Sequence, residues 1–414
     1  MTVPHYQLQD LLLDMLCPAR SPDASLVKFL GDSEWQSIMA MAREHRMEPL
    51  LHWRLEHEHS DLAIPGKIRH ELANQYRESA IASLMLRSGL IQTHRLLEER
   101  NIPHLGLKGA YLAFFSYPHP ALRPLRDLDI LVPREQAIEA YETLIKGGLT
   151  HHEEFRGDPK AALEVKKHLP PLLIPDSSLW IELHSKLSDE EQDDLKQAEL
   201  VIHDRWKRAV KCKIAQEEIA FLSPTDTLLH LIIHAVYDHK FSNGPLTISD
   251  LFYLIRNERI DWPLFWTCAE AQDVTRGCIL ALRMTEHFYG KMDIDWGKAD
   301  SSSVDKVLQQ ASRLTLRDSA AQGFSNLKSA RMGEETFRGK AGVYMNRLFP
   351  SKPVIASQYP VTVDSLRVYL WYPVWWAYVI KRVWQNLTRN NSTELGEESD
   401  NLLHLETWLN QKDA

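Results

Sequence analysis

Two aspartates stand two residues apart in the run DLDILV (127–132). The strand period of two puts Asp127, Asp129 and Leu131 on one face and Leu128, Ile130 and Val132 on the other. Like-charged carboxylates this close repel each other and lose hydration on burial, and a divalent cation between them compensates both charges. The later run LWIELHS (179–185) repeats the arrangement, with Trp180, Glu182 and His184 alternating with Leu179, Ile181 and Leu183. If the two strands are neighbours, Glu182 becomes a third oxygen ligand. Upstream, LGLKG (105–109) ends a strand, and Gly109 opens a helix whose backbone N–H groups could meet phosphate at its positive end. Lys108 adds a full positive charge. Carboxylates for two metal ions, with cations and backbone donors for a triphosphate, are the parts that phosphoryl transfer demands. Singly they are weak signals, because a D-x-D also marks a solvated strand edge or a turn.

The elements that must carry these residues follow from the patterning. Up to about residue 100 the pattern is helical, and EWQSIMAMAREHRMEPLLHWRL places Trp35, Ile38, Met39, Met41 and Ala42 near one stripe. From Ile102 the texture changes to short runs bounded by Pro, Gly and Asp: HLGL (104–107), DLDILV, LTHHEEF (149–155), HLPPLLI (168–174) and LWIELHS. Between them fall two helical stretches, GAYLAFFSY (109–117) and Arg134 to Lys146, the second closed by Gly147 and Gly148. PDSS (175–178) reads as a hairpin turn. This order predicts an α+β fold, a small mixed sheet covered by helices. After about residue 195 the pattern is helical again, with SPTDTLLHLIIHAVYDH opening on a Ser223 or Thr225 cap and Pro224 near the start. The expected organisation is a helical leader (1–100), the α+β core (101–195), a C-terminal helical domain (196–387) and a polar tail (388–414), with TRNNSTELGEESDN (388–401) as a mobile linker.

The chain has 414 residues, with 48 Lys and Arg against 56 Asp and Glu, a net charge of -8 and 44% apolar residues. These globular proportions exclude disorder and a disulfide-stapled miniature, and the acidic balance argues against duplex DNA as a partner. Cys17, Cys212, Cys268 and Cys278 are scattered without a C-x-x-C pair, which reads as free thiols in a reducing compartment. The opening MTVPHYQLQDLLLDML lacks a basic n-region, and the most apolar long window, Leu366 to Trp384, is broken by Arg367, Pro373, Lys381 and Arg382. No transmembrane segment and a cytoplasmic location are expected.

The order K-G, helix, R-P-x-R-D-x-D-I-L-V, helix, hairpin, I-E-L-H resembles a bacterial family, the uncharacterised nucleotidyltransferase-5 group of the polymerase β-like superfamily. The match runs through LKGAYLAFFSYPHPALRPLRDLDILV (107–132) and WIELHSKL (180–187), and more loosely through EWQSIMAMAREHRMEPLL, HLIIHAVYDHK, LTISDLFYLI and RLFPS (347–351). The resemblance implies a nucleotidyltransferase core flanked by the helical leader and the helical domain. It implies that Asp127 and Asp129 bind both magnesium (or manganese) ions and that Glu182 is the third catalytic carboxylate. Lys108 and Gly109 would stand where the wider superfamily has a Gly-Ser phosphate-binding turn, a departure typical of this group. Arg123 and Arg126 would contact triphosphate or acceptor, or orient the aspartates through salt bridges. His234, Lys240 and Asp250 would lie near the nucleotide, with Lys240 reaching the triphosphate. The implied reaction moves a nucleoside monophosphate from a nucleoside triphosphate (NTP) to an acceptor: a sugar, small molecule, peptide, protein side chain or transfer-RNA end.

Two other function classes compete. Asp226, His230 and His234 fall on one stripe of a helix, with His239 five residues on, and helical H-x-x-x-H is zinc-ligand spacing suited to a hydrolase. The apolar neighbours Leu228, Leu229, Leu231, Ile232 and Ile233 favour a packed helix edging a cleft. A catalytically silent nucleotide- or partner-binding module is the other class, against which an intact carboxylate triad argues. The run LRVYLWYPVWWAYVIKRVW (366–384) suits a membrane interface or stacked single-stranded bases, and more simply a terminal helix packing its aromatic face on the domain.

Overall fold

The computed structural model describes residues 3–152, 156–177, 179–187, 204–299, 304–315, 345, 347–389 and 394–410. Its strands are β1 (Leu105–Gly106), β2 (Asp127–Leu131), β3 (Thr150–His151), β4 (Leu172–Leu173), β5 (Trp180–His184), β6 (Val210–Ile214) and β7 (Glu217–Phe221). With helices before, between and after these strands, the chain has the expected α+β class. It divides into two compact units, one of Met1–Gly89, Gly106–Arg126 and Asp193–Leu316, the other of Leu90–Leu105, Asp127–Gln192 and Arg317–Ala414.

In the first unit the Asp32–Glu44 helix buries Trp35, Ile38, Met39, Met41 and Ala42, the stripe read from the sequence. Arg43 on that helix holds Glu48 at 3.1 Å and Glu71 of the long Gly66–Glu98 helix at 2.7 Å. β7 pairs in parallel with β1, where Gly106 faces Phe221, and a Cβ on Gly106 would meet the Phe221 ring at 2.4 Å. That close approach requires glycine. β6 pairs antiparallel with β7. This hairpin corrects the expectation of a wholly helical pattern after about residue 195. Ile214, Ile219 and Phe221 supply its buried side chains, and its turn passes through Ala215 at φ 55, a left-handed conformation without the usual Asn or Gly signal. The Pro224–Ile233 helix then starts on Ser223, whose hydroxyl accepts from the Asp226 N–H at 3.1 Å.

In the second unit the strand order is β3-β4-β5-β2, with β2 and β5 parallel and β4 antiparallel to its neighbours. Leu128, Ile130, Ile181 and Leu183 are fully buried on the core face. The Ala137–Lys146 helix packs against β5 and ends as its glycines foretold. Gly148 adopts φ 103, and the Leu149 N–H returns to the Leu144 carbonyl at 3.1 Å.

Two C-terminal expectations change. Residues 394–409 form a helix rather than a linker, because Leu402 and Leu405 share a buried side; 390–393 and 411–414 lie outside the described residues. The aromatic run is only partly packed. Trp375 and Trp376 donate their indole N–H groups to the carbonyls of Arg347 and Leu348 at 2.8 and 2.7 Å, while Leu366, Leu370, Ile380 and Trp384 are exposed.

Candidate metal centre

The parallel register of β2 and β5 sets Asp127 opposite Trp180, Asp129 opposite Glu182 and Leu131 opposite His184. Opposed residues in register point to the same face, so burying the leucine and isoleucine face turns both carboxylates outward together. Asp129, Glu182 and His184 each bring one ligand atom to a common point, all within 4.8 Å of one another. Asp127 shares their face by alternation but stands outside that group.

His184 organises the cluster. Its Nε2 lies 2.7 Å from Asp129 Oδ1 and 3.7 Å from Glu182 Oε2. An ionised carboxylate only accepts, so Nε2 carries the proton and donates to Asp129. The imidazole is 1% exposed, against 11% for the Asp129 side chain and 20% for Glu182. The backbone of His168 forms an antiparallel bridge to His184 at the end of β5, and its imidazole brings Nε2 to 3.9 Å from Glu182 Oε2. Burial alone would push the Glu182 carboxyl up, but the polar contact with His184 and the neighbouring His168 outweigh it and hold the group below its ordinary value. Burial also pushes the His168 imidazole down. Glu182 therefore stays ionised at neutral pH.

The donor set fits a divalent cation. Two partly buried carboxylates face one point, a third shares the face, and hard oxygen donors suit magnesium or manganese. His184 uses its Nε2 proton on Asp129, the arrangement of a group that orients a ligand rather than replaces it.

The cationic residues read from the sequence belong to the first unit, and each has a defined setting. Lys108 is buried at φ 38, at the start of a helical turn, Lys108–Tyr111, that passes into a π-helical turn at Leu112–Ser116. At Gly109 an added Cβ would lie 2.3 Å from Arg123 Nη1, so the space that glycine leaves is filled by Arg123. Arg123 grips Asp250 with two contacts, Nε to Oδ1 at 3.1 Å and Nη2 to Oδ2 at 2.9 Å, and the Tyr117 hydroxyl donates to Asp250 at 2.8 Å. That buried pair ties the turn after β1 to the Pro245–Asn257 helix. Arg126 is exposed. Lys240, at φ 49, bends its ammonium back to the Tyr237 carbonyl at 2.7 Å.

On the histidine helix Asp226 is engaged by Arg208 at 2.6 Å, and His234 Nδ1 lies 3.2 Å from Asp238 Oδ2. The His230 and His234 rings are 6.3 Å apart, and among the described residues no group of three ligand atoms within 4.8 Å forms there.

A family model described as an uncharacterised nucleotidyltransferase matches residues 31–290, which takes in the K-G turn, β2, β5 and the histidine helix. The chain belongs to this family. Membership in an uncharacterised nucleotidyltransferase family gives the chain its general activity, nucleotidyl transfer. No curated protein and no solved structure matches it significantly. Among the described residues no helix is long and apolar enough to cross a membrane.

Sequence reading missed His184 and His168 as site residues. The alternation I-E-L-H already carried His184 to the carboxylate face, so its signal was present. His168 opens the run HLPPLLI, but nothing in that run pointed to the carboxylate face, which it reaches through a single bridge to His184.

Proposed function

We propose that the protein is a magnesium- or manganese-dependent enzyme that transfers a nucleoside monophosphate from an NTP to an acceptor and releases pyrophosphate. The observation that carries this reading is the in-register opposition of Asp129 and Glu182 with His184 beside them. When bound to Asp127, Asp129 and Glu182, the cation would neutralise triphosphate charge and align the acceptor hydroxyl. Asp129 is oriented by the His184 N–H. Glu182, held ionised, is able to receive the proton of the attacking hydroxyl. Lys108, Gly109, Arg126 and Lys240 enter the proposal as triphosphate-binding residues from their places in the sequence runs that carry the resemblance. Arg123 enters it through Asp250, as a strut of the K-G turn. The acceptor class is open among hydroxyl-bearing sugars, small molecules, peptides, proteins and transfer-RNA ends, and the four free cysteines favour a reducing, cytoplasmic setting.

The test is incubation with each NTP and magnesium, alone and with acceptor pools, followed by mass spectrometry. The proposal expects a mass increment of one nucleoside monophosphate on some acceptor, with pyrophosphate release that stops on chelation. Pyrophosphate release indifferent to chelation, or shared equally by Asp129→Asn, contradicts it.

A further inference from the structure

The Gly66–Glu98 helix carries His94 and Glu98 one turn apart near its C-terminus, so the two share a face. Asn101 follows in the left-handed region at φ 54. The Asn101 N–H returns to the Glu98 carbonyl at 2.9 Å and the Ile102 N–H to the Leu97 carbonyl at 3.0 Å, a Schellman turn. That turn folds the chain back over the helix end, buries Ile102 and delivers His104 beside His94. His104 Nδ1 lies 2.9 Å from the Ile102 carbonyl. A carbonyl only accepts, so Nδ1 carries the proton and Nε2 presents a lone pair. His94 Nδ1 donates to that Nε2 at 2.9 Å, a proton that a metal ion would displace, and a Glu98 oxygen completes a set within 4.8 Å.

We infer that His94, Glu98 and His104 form a binding site for a divalent transition-metal ion of the zinc class, separate from the carboxylates of β2 and β5. Two nitrogens each about 2.05 Å from one ion and at right angles lie about 2.9 Å apart, and tetrahedral geometry needs only a few tenths of an ångström more. A histidine ligand whose other nitrogen is fixed by a backbone carbonyl is the usual support of such a site, since it sets tautomer and ring direction. Both imidazoles are buried while Glu98 is exposed, which leaves the remaining coordination positions on the solvent side for water. Two imidazoles with one carboxylate select zinc or nickel over magnesium, whereas the β2 and β5 set is dominated by oxygen. A bound ion would clip the end of the long helix to the segment leading into β1. The inference does not depend on the proposed catalytic function.

The experiment is a zinc titration of the full-length protein with a competing chelator indicator, with metal content counted after dialysis. It compares wild type, His94→Gln/His104→Gln, Glu98→Gln and Asp129→Asn/Glu182→Gln. The site predicts one zinc that survives Asp129→Asn/Glu182→Gln, disappears in the double histidine variant, and weakens at least about tenfold in Glu98→Gln, an exposed change that leaves folding intact. It also predicts a thermal midpoint that rises with zinc in wild type and in Asp129→Asn/Glu182→Gln but not in the histidine variant. Zinc lost with the β2 and β5 carboxylates, or undiminished by both the histidine and the Glu98 substitutions, overturns it.

Discussion

His184 Nε2 lies 2.7 Å from Asp129 Oδ1, a diagonal contact across the β2–β5 pair, because the residue directly opposite Asp129 is Glu182. The contact binds the orientation of Asp129 to a buried ring that also lies 3.7 Å from Glu182 Oε2. Removing the ring should therefore loosen the metal site without removing a ligand. His184→Ala is expected to weaken manganese binding by about 10- to 100-fold, with His184→Gln recovering part of the loss through its amide N–H. Titration followed by electron paramagnetic resonance reads this without any assay of turnover, and equal affinities in all three proteins would assign His184 to packing alone.

Lys108 combines a proposed phosphate contact with a strained backbone at φ 38. Lys108→Ala should cost NTP binding about 1.5 to 3 kcal/mol, the range for a lost charge-assisted contact. Lys108→Gly should lose the same affinity yet gain about 1 kcal/mol of stability, because glycine carries no penalty in the left-handed region. Binding of a non-hydrolysable NTP analogue and thermal unfolding, measured together, should move in opposite directions for the glycine variant. Unchanged binding in both variants returns Lys108 to a purely structural position.

The Arg123–Asp250 pair predicts stability effects. Gly109→Ala drives a methyl into Arg123 and Leu125, at 2.3 and 2.5 Å, and should destabilise by about 1 to 3 kcal/mol as an overpacked site. Asp250→Ala removes both carboxylate contacts of the buried Arg123 guanidinium and should cost about 3 to 5 kcal/mol. Urea unfolding of the two variants checks both values, and losses under about 0.5 kcal/mol would mean that the turn does not rely on this pair.

The cysteines give a simple count. Cys17 and Cys268 have thiols pushed up by burial to about 12 and about 11, Cys278 is pushed higher still, and Cys212 alone is half-exposed. Brief alkylation of the native protein at pH 8 should modify Cys212 far faster than the others, and all four should react after unfolding. Rapid native labelling of Cys278 would contradict its burial.

The alternation in DLDILV and LWIELHS made the strands and the carboxylate face legible, because Leu128, Ile130, Ile181 and Leu183 must be buried and so fix where Asp129 and Glu182 point. Alternation assigns a face but not a diagonal contact, which is why His184 was visible on the strand and invisible as the partner of Asp129. The β6–β7 hairpin escaped because Ala215 occupies a conformation that glycine or asparagine would have announced. The His94, Glu98 and His104 cluster escaped for a related reason: it depends on where the long helix stops, and the single cue was Asn101 in a left-handed turn. The last helix, Glu394–Leu409, was obscured by the polar run that opens it.

In the proposed function the β2 and β5 carboxylates hold the cation through which an NTP binds. The most direct test is manganese titration of wild type and Asp129→Asn/Glu182→Gln, each with and without a non-hydrolysable NTP analogue. Wild type is expected to bind manganese, the analogue to tighten this binding, and the folded double variant to lose both effects. Manganese binding and analogue coupling of wild-type strength in the double variant would contradict it.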